Sequence, residues 1–251
     1  MINLKSKIAL ITGGSRGIGA ACVKLFAEAG AIVAFTYQSN KNAAKKIINE
    51  CSDESKVKAY KCDLSNADEI VKTVKNIISD FERVDILINN AGIWKYGPMD
   101  KISLEDWEET IRINLTGTFL FTKAVIPSMK KNKFGRIINI TSTAGQRGEA
   151  SYSHYASSKG GVISFTKSMA SELGPFNITT NSVAPGWVFT DMTSDELSDK
   201  KYLKEVEDDI PLRRVATAED IAGPVLFLAS DLAKHINGEI LNVNGGSILC
   251  G

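Results

Sequence analysis

A doubly wound parallel α/β sheet is the fold class this sequence predicts, and three observations predict it. Short apolar runs alternate with helix-length segments along nearly all of the 251 residues. Several of these runs are apolar on both faces, as strands covered by helices on either side must be. A glycine-rich turn, TGGSRGIG at 12–19, joins the first run to the first helical segment. Repeated β–α alternation with right-handed crossovers then gives a single Rossmann-type domain over 1–251, with about seven parallel strands and helices on both faces.

The strands are expected at KIALIT (7–12), AIVAFTY (31–37), VKAYKC (57–62), VDILINN (84–90), GRIINIT (135–141), NITTNSVA (177–184) and GEILNV (238–243). Helices are expected over 17–29, 40–50, 66–80, 104–131, 151–173 and 218–229. Asp63, Ser65 and Asn66 supply capping side chains ahead of the third helix. The stretch 187–216 breaks the rhythm. It carries SDELSDKKYLKEVEDD and no strand pattern, and two readings stand open: a solvated surface helix, or a substrate lid over a site.

With 43% hydrophobic and 24% charged residues, the composition is that of a globular protein. A net charge of +1 gives no electrostatic footprint for nucleic acid and no polybasic membrane surface. The cysteines Cys22, Cys51, Cys62 and Cys250 form no CxxC pair, which fits a reducing compartment. The N-terminal apolar run, Ile8 to Ile11, is too short for a signal peptide or a membrane span. A cytoplasmic location is the expectation. Neither His154 nor His235 has a partner at metal-ligand spacing, so no metal site is expected. Asp85 reads as a structural acid at a strand start, and His235 as a surface residue.

The glycine turn stands in a strand–turn–helix context, which makes it more specific than the pattern alone. Gly13, Gly17 and Gly19 free the backbone to turn tightly and to approach another molecule. Amides at the following helix N-terminus suit a pyrophosphate, so a dinucleotide is expected. NAD sites place an acid about 20 residues further on. Here FTYQSNKN stands in that place, with no acid between Ala31 and Asn49. Arg16, with Ser15, Gln38 and Ser39, would instead meet a 2′-phosphate with no repelling carboxylate. NADPH is therefore the predicted cofactor.

Tyr155 and Lys159 are four positions apart among small residues, so on a helix they meet on an open face. Taken alone, the pair reads as an ordinary surface pair on an amphipathic helix. Other motifs change that: NNAG (89–92), RINLTG (112–117), INITSTAG (138–145) and NSVAPGWVFTDM (181–192). Together with the glycine turn, these resemble the short-chain dehydrogenase/reductase family from Lys7 to Gly246, and LNVNGG (241–246) is similar to its carrier-protein reductase branch. The resemblance implies that Tyr155 is the general acid toward a carbonyl oxygen and that Ser142 hydrogen-bonds the same oxygen. It implies that Lys159 holds the nicotinamide ribose and favours the phenolate, and that Asn114 fixes a water leading from Lys159 to solvent. It further implies cofactor contacts from Gly13, Ser15, Arg16, Gly17, Ile18, Gly19, Gln38, Ser39, Asp63, Leu64, Asn90, Ala91, Gly92, Tyr155, Lys159, Pro185, Gly186, Val188 and Thr190. A homotetramer, as a dimer of dimers, is also implied.

Chemistry supports these roles independently. Hydride addition to a ketone creates an alkoxide, which needs an acid. A tyrosine ordinarily titrates near 10, so acting near neutrality calls for about 4 kcal/mol of phenolate stabilisation, to which an ammonium and a positive nicotinamide contribute. Ser142 ends a strand at the carboxyl edge, where open sheets bind ligands, and the loop TAGQRGEASYSH must fold back to bring it to Tyr155. His154 should point away from that chemistry.

For the substrate, Trp94, Tyr96, Gln146, Tyr152, Trp187 and Met192 flank the motifs, and with Ser142 and Tyr155 they could line an apolar pocket. Such a pocket suits an acyl chain or a ring ketone. An acidic acyl-carrier protein would want a cationic rim, which Lys130, Lys131, Lys133 and Arg136 could supply. Yet Phe176 and Lys133 stand where the branch usually has arginines. The expected activity is reduction of a 3-oxoacyl thioester, carried on acyl-carrier protein or as a small molecule. The alternatives are a reductase of another ketone or aldehyde, and a non-catalytic NADPH-binding protein.

Overall fold

In the computed structural model, which describes residues 2–51, 53 and 56–249, one parallel sheet organises the chain. Its strands are β1 (Ile8–Ile11), β2 (Ile32–Tyr37), β3 (Val57–Lys61), β4 (Ile86–Asn89), β5 (Gly135–Ile140), β6 (Ile178–Pro185) and β7 (Ile240–Val243). They stand in the order β3-β2-β1-β4-β5-β6-β7, every neighbouring pair parallel. The order reverses between β1 and β4, which opens a crevice at their carboxyl ends. Expected and observed strands differ only at their ends.

Alternation along the strands fills two separate layers. Ala9, Ile11, Val33, Phe35, Ile86 and Ile88 face one side, packing with α1 (Gly17–Glu28), α2 (Lys41–Asn49) and α10 (Ala218–Ala229). Leu10, Ala34, Leu87 and Ile137 face the other, packing with α3 (Ala67–Phe81) and α5 (Gly117–Asn132). The apolar character of both faces, read from the sequence, has this cause. Asp85 is buried at the amino edge, where it accepts a bond from Ile8 N (2.9 Å) and pairs with Arg83.

Two segments differ from expectation. The helix expected over 104–131 is α4 (Leu104–Ile111), a π-helical turn (Arg112–Thr116) and α5. The extra residue of the π turn is invisible to a 3.6-residue pattern. The stretch 187–216 is neither a single helix nor merely solvated. It holds α8 (Ser194–Leu197) and α9 (Lys200–Asp209), and Leu197, Val206, Ile210 and Val215 form a small core with Trp187 and Leu203. A parallel bridge from Val188 to Ala216 closes its base.

Among the described residues, no helix is long and apolar enough to cross a membrane, and no cluster of His, Cys, Asp or Glu could hold a metal ion. Cys22, Cys51 and Cys62 are buried, and Cys250 lies outside the described residues.

Candidate active site

A cavity of about 910 Å³ opens where the strand order reverses. Its floor is backbone. Gly13 N donates to Thr36 Oγ1 (3.1 Å) and Gly14 N to Thr36 O (2.9 Å), which ties the glycine turn to the end of β2. Thr12 Oγ1 accepts from Asn90 N (2.9 Å) and Ala91 N (3.0 Å), while Asn90 Nδ2 donates back to Thr12 O (2.9 Å). The two motifs thus brace each other across β1 and β4. A Cβ on Gly19 would stand 2.2 Å from Gly13 O and 2.6 Å from Asn90 Nδ2, so only glycine lets α1 press this closely on the turn.

Side chains of Asn40, Asn66, Ser103 and Thr217 cap α2, α3, α4 and α10. No side chain caps α1, whose first residues Gly17 and Ile18 line the cavity. An uncapped helix N-terminus beside a glycine turn fits the pyrophosphate of a dinucleotide. Ser15, Arg16, Gln38 and Ser39 line the same end. The expectation that no carboxylate faces Arg16 is corrected: Asp191 Oδ2 is 3.8 Å from its guanidinium. Both side chains are largely exposed, so the pair is weak and an anion can compete for Arg16.

The second corner is built by α6 (Ala144–Arg147) and α7 (Ser153–Leu173). A Cβ on Gly145 would meet the Lys159 backbone at 2.7 Å, so the short helix lies directly on the long one. That contact folds the loop back and brings Ser142 within hydrogen-bond reach of the Tyr155 phenol. Lys159 is buried, its Nζ donating to Ile140 O (2.8 Å) and standing 5.8 Å from the Tyr155 ring centre. Burial pushes the Lys159 ammonium down to about 8. Desolvation of the Tyr155 hydroxyl pushes it up to about 12; the bond with Ser142 works against this and the Glu149 carboxylate adds to it. A phenol poised near neutrality is therefore not a property of the chain alone, because burial outweighs its hydrogen bond.

Asn114 occupies the π turn. Its Oδ1 accepts from Ile93 N (2.8 Å), and its Nδ2 donates to Ile93 O (2.9 Å) and Ser158 Oγ (3.1 Å). It therefore fixes the strand β4 exit against α7. Deeper in, Asn89 Nδ2 donates to Asn139 Oδ1 (2.8 Å) and Thr122 Oγ1 (3.1 Å), and Asn139 Nδ2 donates to Thr166 Oγ1 (2.9 Å). This buried ladder joins β4 and β5 to α5 and α7.

Aromatic rings form the third corner. Trp94 stacks on Tyr152 (4.4 Å between centres, 7° between planes) and meets Trp187 edge-on at 5.8 Å. Trp187 in turn meets Tyr202 of α9 at 5.9 Å. Tyr96 packs edge-on against Tyr152.

The comparisons with known proteins agree with this geometry. A family model described as "Enoyl-(Acyl carrier protein) reductase" matches residues 13–247. The chain is 42% identical over 247 residues to "3-oxoacyl-[acyl-carrier-protein] reductase FabG" of Aquifex aeolicus, covering 98% of each chain. It is 41% identical to "3-oxoacyl-[acyl-carrier-protein] reductase" of Synechocystis, covering 99% of this chain and 100% of that one. The chain belongs to the short-chain dehydrogenase/reductase family. A crystal structure from Agrobacterium tumefaciens, provisionally assigned as a gluconate dehydrogenase, superposes with a TM-score of 0.93 at 28% identity, covering 98% of both chains.

As a short-chain dehydrogenase/reductase, the chain gathers most of the residues singled out in its sequence around one cavity. Gly13, Ser15, Arg16, Gly17, Ile18, Gln38, Ser39, Asp63, Leu64, Asn90, Ala91, Gly92, Ser142, Tyr155, Lys159, Pro185, Gly186, Val188 and Thr190 line it, with Trp94, Trp187 and Met192. Gly19, Asn114 and Gln146 do not reach the wall. Gly19 and Asn114 act on neighbours that do. Gln146, in α6, is off the wall, with its amide oxygen buried. Tyr96 and Tyr152 stand behind Trp94 rather than on the wall. His154 is buried and faces Asp106 and Lys95, off the cavity, and His235 is exposed.

The cationic rim is also corrected. Arg136 is buried near the amino end of β5, bonded to Gly135 O (2.9 Å), and Lys130 lies over the Phe176 ring. Both belong to the sheet edge opposite the cavity. Thr36, Glu149, Tyr202 and Glu205 line the cavity without having been singled out. Only Thr36, a polar residue ending a strand beside the glycine turn, carried a local signal.

Proposed function

We propose that this oxidoreductase reduces the ketone of a 3-oxoacyl thioester to the secondary alcohol, with NADPH as hydride donor. The observation that carries the reading is the convergence of Ser142, Tyr155 and Lys159 on a cavity whose other end is an uncapped helix N-terminus with Arg16 beside it. NADPH, when bound, supplies the hydride to the carbonyl carbon. Gly17 and Ile18 amides would hold its pyrophosphate, and Arg16, Ser15 and Ser39 its 2′-phosphate. Ser142 and Tyr155 orient the carbonyl oxygen. Tyr155 passes its hydroxyl proton to that oxygen, completing the alcohol and leaving a phenolate. Lys159, one turn further along α7, stabilises the phenolate by charge and is itself fixed by Ile140 O. Proton return from solvent restores Tyr155.

The curated relatives, reductases of 3-oxoacyl groups on acyl-carrier protein, support the substrate class. A second reading, reduction of a ketone that is not a thioester, draws on the aromatic third corner and on the position of the lysine patch away from the cavity. The test is NADPH oxidation with acetoacetyl thioesters, free and on carrier protein, beside crotonyl thioester and a panel of free ketones. Fast turnover of the 3-oxo thioesters is expected. Turnover of free ketones alone would establish the second reading, and turnover of crotonyl thioester alone would replace both with an enoyl reductase. In parallel titrations NADPH should bind at least tenfold more tightly than NADH, a difference of about 1.4 kcal/mol, and Arg16→Ala should abolish most of that preference.

A further inference from the structure

One carboxylate stands on the substrate side of the cavity without a part in the chemistry above. Glu149 lies on the loop between α6 and α7, half-buried, and lines the same wall as Tyr155, Trp94 and Tyr202. The loop is built to hold it there. Gly148 and Ser151 flank it with φ of 78° and 64°, a left-handed conformation that glycine adopts freely and serine does not. Gly97 N donates to Ser151 O (2.8 Å), and Tyr152 N to Glu149 O (3.2 Å). Tyr152 stacks on Trp94, and the Trp94 side chain lies close enough to the Glu149 carboxylate to favour its charge. A strained turn, a cross-loop backbone bond and a ring stack thus converge on a single acidic group.

We propose that Glu149 sets the charge selectivity of the substrate site, admitting ketones that are neutral next to the reacting carbon and rejecting those that carry a carboxylate there. This rests on the ketone-reductase reading given above. Two further acids, Glu205 and Asp209 of α9, line the cavity on the same side. The one arginine among the lining residues of this corner, Arg147, is exposed at the mouth, where water screens it. A substrate carboxylate entering past Trp94 would lose water and meet a half-buried like charge. A thioester or ester presents no such charge. Burial holds the Tyr152, Tyr155 and Tyr202 phenols neutral and the Glu149 charge adds to it; burial also raises the Glu149 carboxyl itself, with Arg147 and Trp94 working against that rise.

The matched pair ethyl acetoacetate and acetoacetate tests the idea, because the two differ in charge and share the ketone. In the unmodified protein kcat/KM should favour the ester by about tenfold or more, the ratio expected of one like charge in a partly dry site. In Glu149→Gln the ratio should fall toward unity, and Glu149→Asp should restore it. Removing the charge also lets Tyr155 ionise more readily, so the high-pH fall of the reduction rate should move to lower pH in Glu149→Gln. Equal efficiency on both ketones in the unmodified protein, or an unchanged ratio in Glu149→Gln, overturns the inference. Failure of every ketone and thioester to oxidise NADPH would strike the reductase reading instead. The measurement on the unmodified protein stands even where a variant does not fold.

Discussion

The two ends of the cavity are built by different means. The cofactor end is backbone: Gly13, Gly14, Gly17, Ile18 and Asn90 lie within the β1–α1 and β4 turns, and the bonds of Gly13, Gly14 and Asn90 to Thr12 and Thr36 are short and local to the strand ends. The substrate end is side chain: Trp94, Glu149, Trp187 and Tyr202 come from four separate segments and meet only in the folded chain. A backbone site recognises what every dinucleotide shares. A side-chain site can be changed residue by residue, and on the function proposed above that is where substrate choice resides.

The largest expected effect falls where the two ends meet. Tyr155→Phe should lower kcat by between about 10² and 10⁴ while NADPH titration changes little, since the ring remains and only the proton donor is lost. A loss in affinity matching the loss in rate would mean the two ends are not separable.

Next is Lys159→Met. With its folded value near 8 against an ordinary 10.5, the native amine has lost its proton between those values while the unfolded chain still holds one. Stability should therefore rise with pH through that window, and below it burial of the ammonium costs roughly 3 kcal/mol, less what the bond to Ile140 O returns. Tyr155, raised to about 12, lowers stability only above about pH 10. Denaturant unfolding of the variant at pH 7 should give a higher midpoint, with the rise from pH 8 to 10 removed. A lower midpoint at pH 7 would mean the amine is a net structural asset.

Two smaller effects sharpen the contrast between the ends. Gly19→Ala must displace Gly13 O or Asn90, at a cost of about 1–3 kcal/mol, and should lower both the melting temperature and NADPH affinity. Trp94→Ala removes a stack worth about 0.5–1.5 kcal/mol and should raise KM for the ketone a few-fold without altering NADPH affinity. If the tryptophan variant weakened NADPH binding as much as the glycine one, the division would fail.

The sequence made the cofactor end legible for the same reason that it is backbone. A glycine turn after β1 and a missing acid after β2 are local patterns, and local patterns survive in one dimension. Tyr155 and Lys159 were legible because helical spacing fixes their relation. Glu149 was not, since nothing near it in the sequence says that Gly148 and Ser151 turn it inward. Arg136 and Lys133 misled for the converse reason. Near in sequence to a motif, they lie at the amino edge of the sheet, and the length of β5 separates that edge from Ser142. The upward push on the phenol was not legible, because desolvation depends on the whole fold, whereas the neighbouring amine is visible in the sequence.

The five-residue π turn has a consequence for how the molecule tolerates change. A helix that carries one residue too many between Leu104 and Asn132 is rotated by about 100° across that point relative to a regular one. Deleting any single residue there would straighten the rod, yet every side chain upstream would swing round it, and the clamp of Asn114 on Ile93 would open. The irregularity acts as a keyway: it locks the angular setting of one half of the rod to the other.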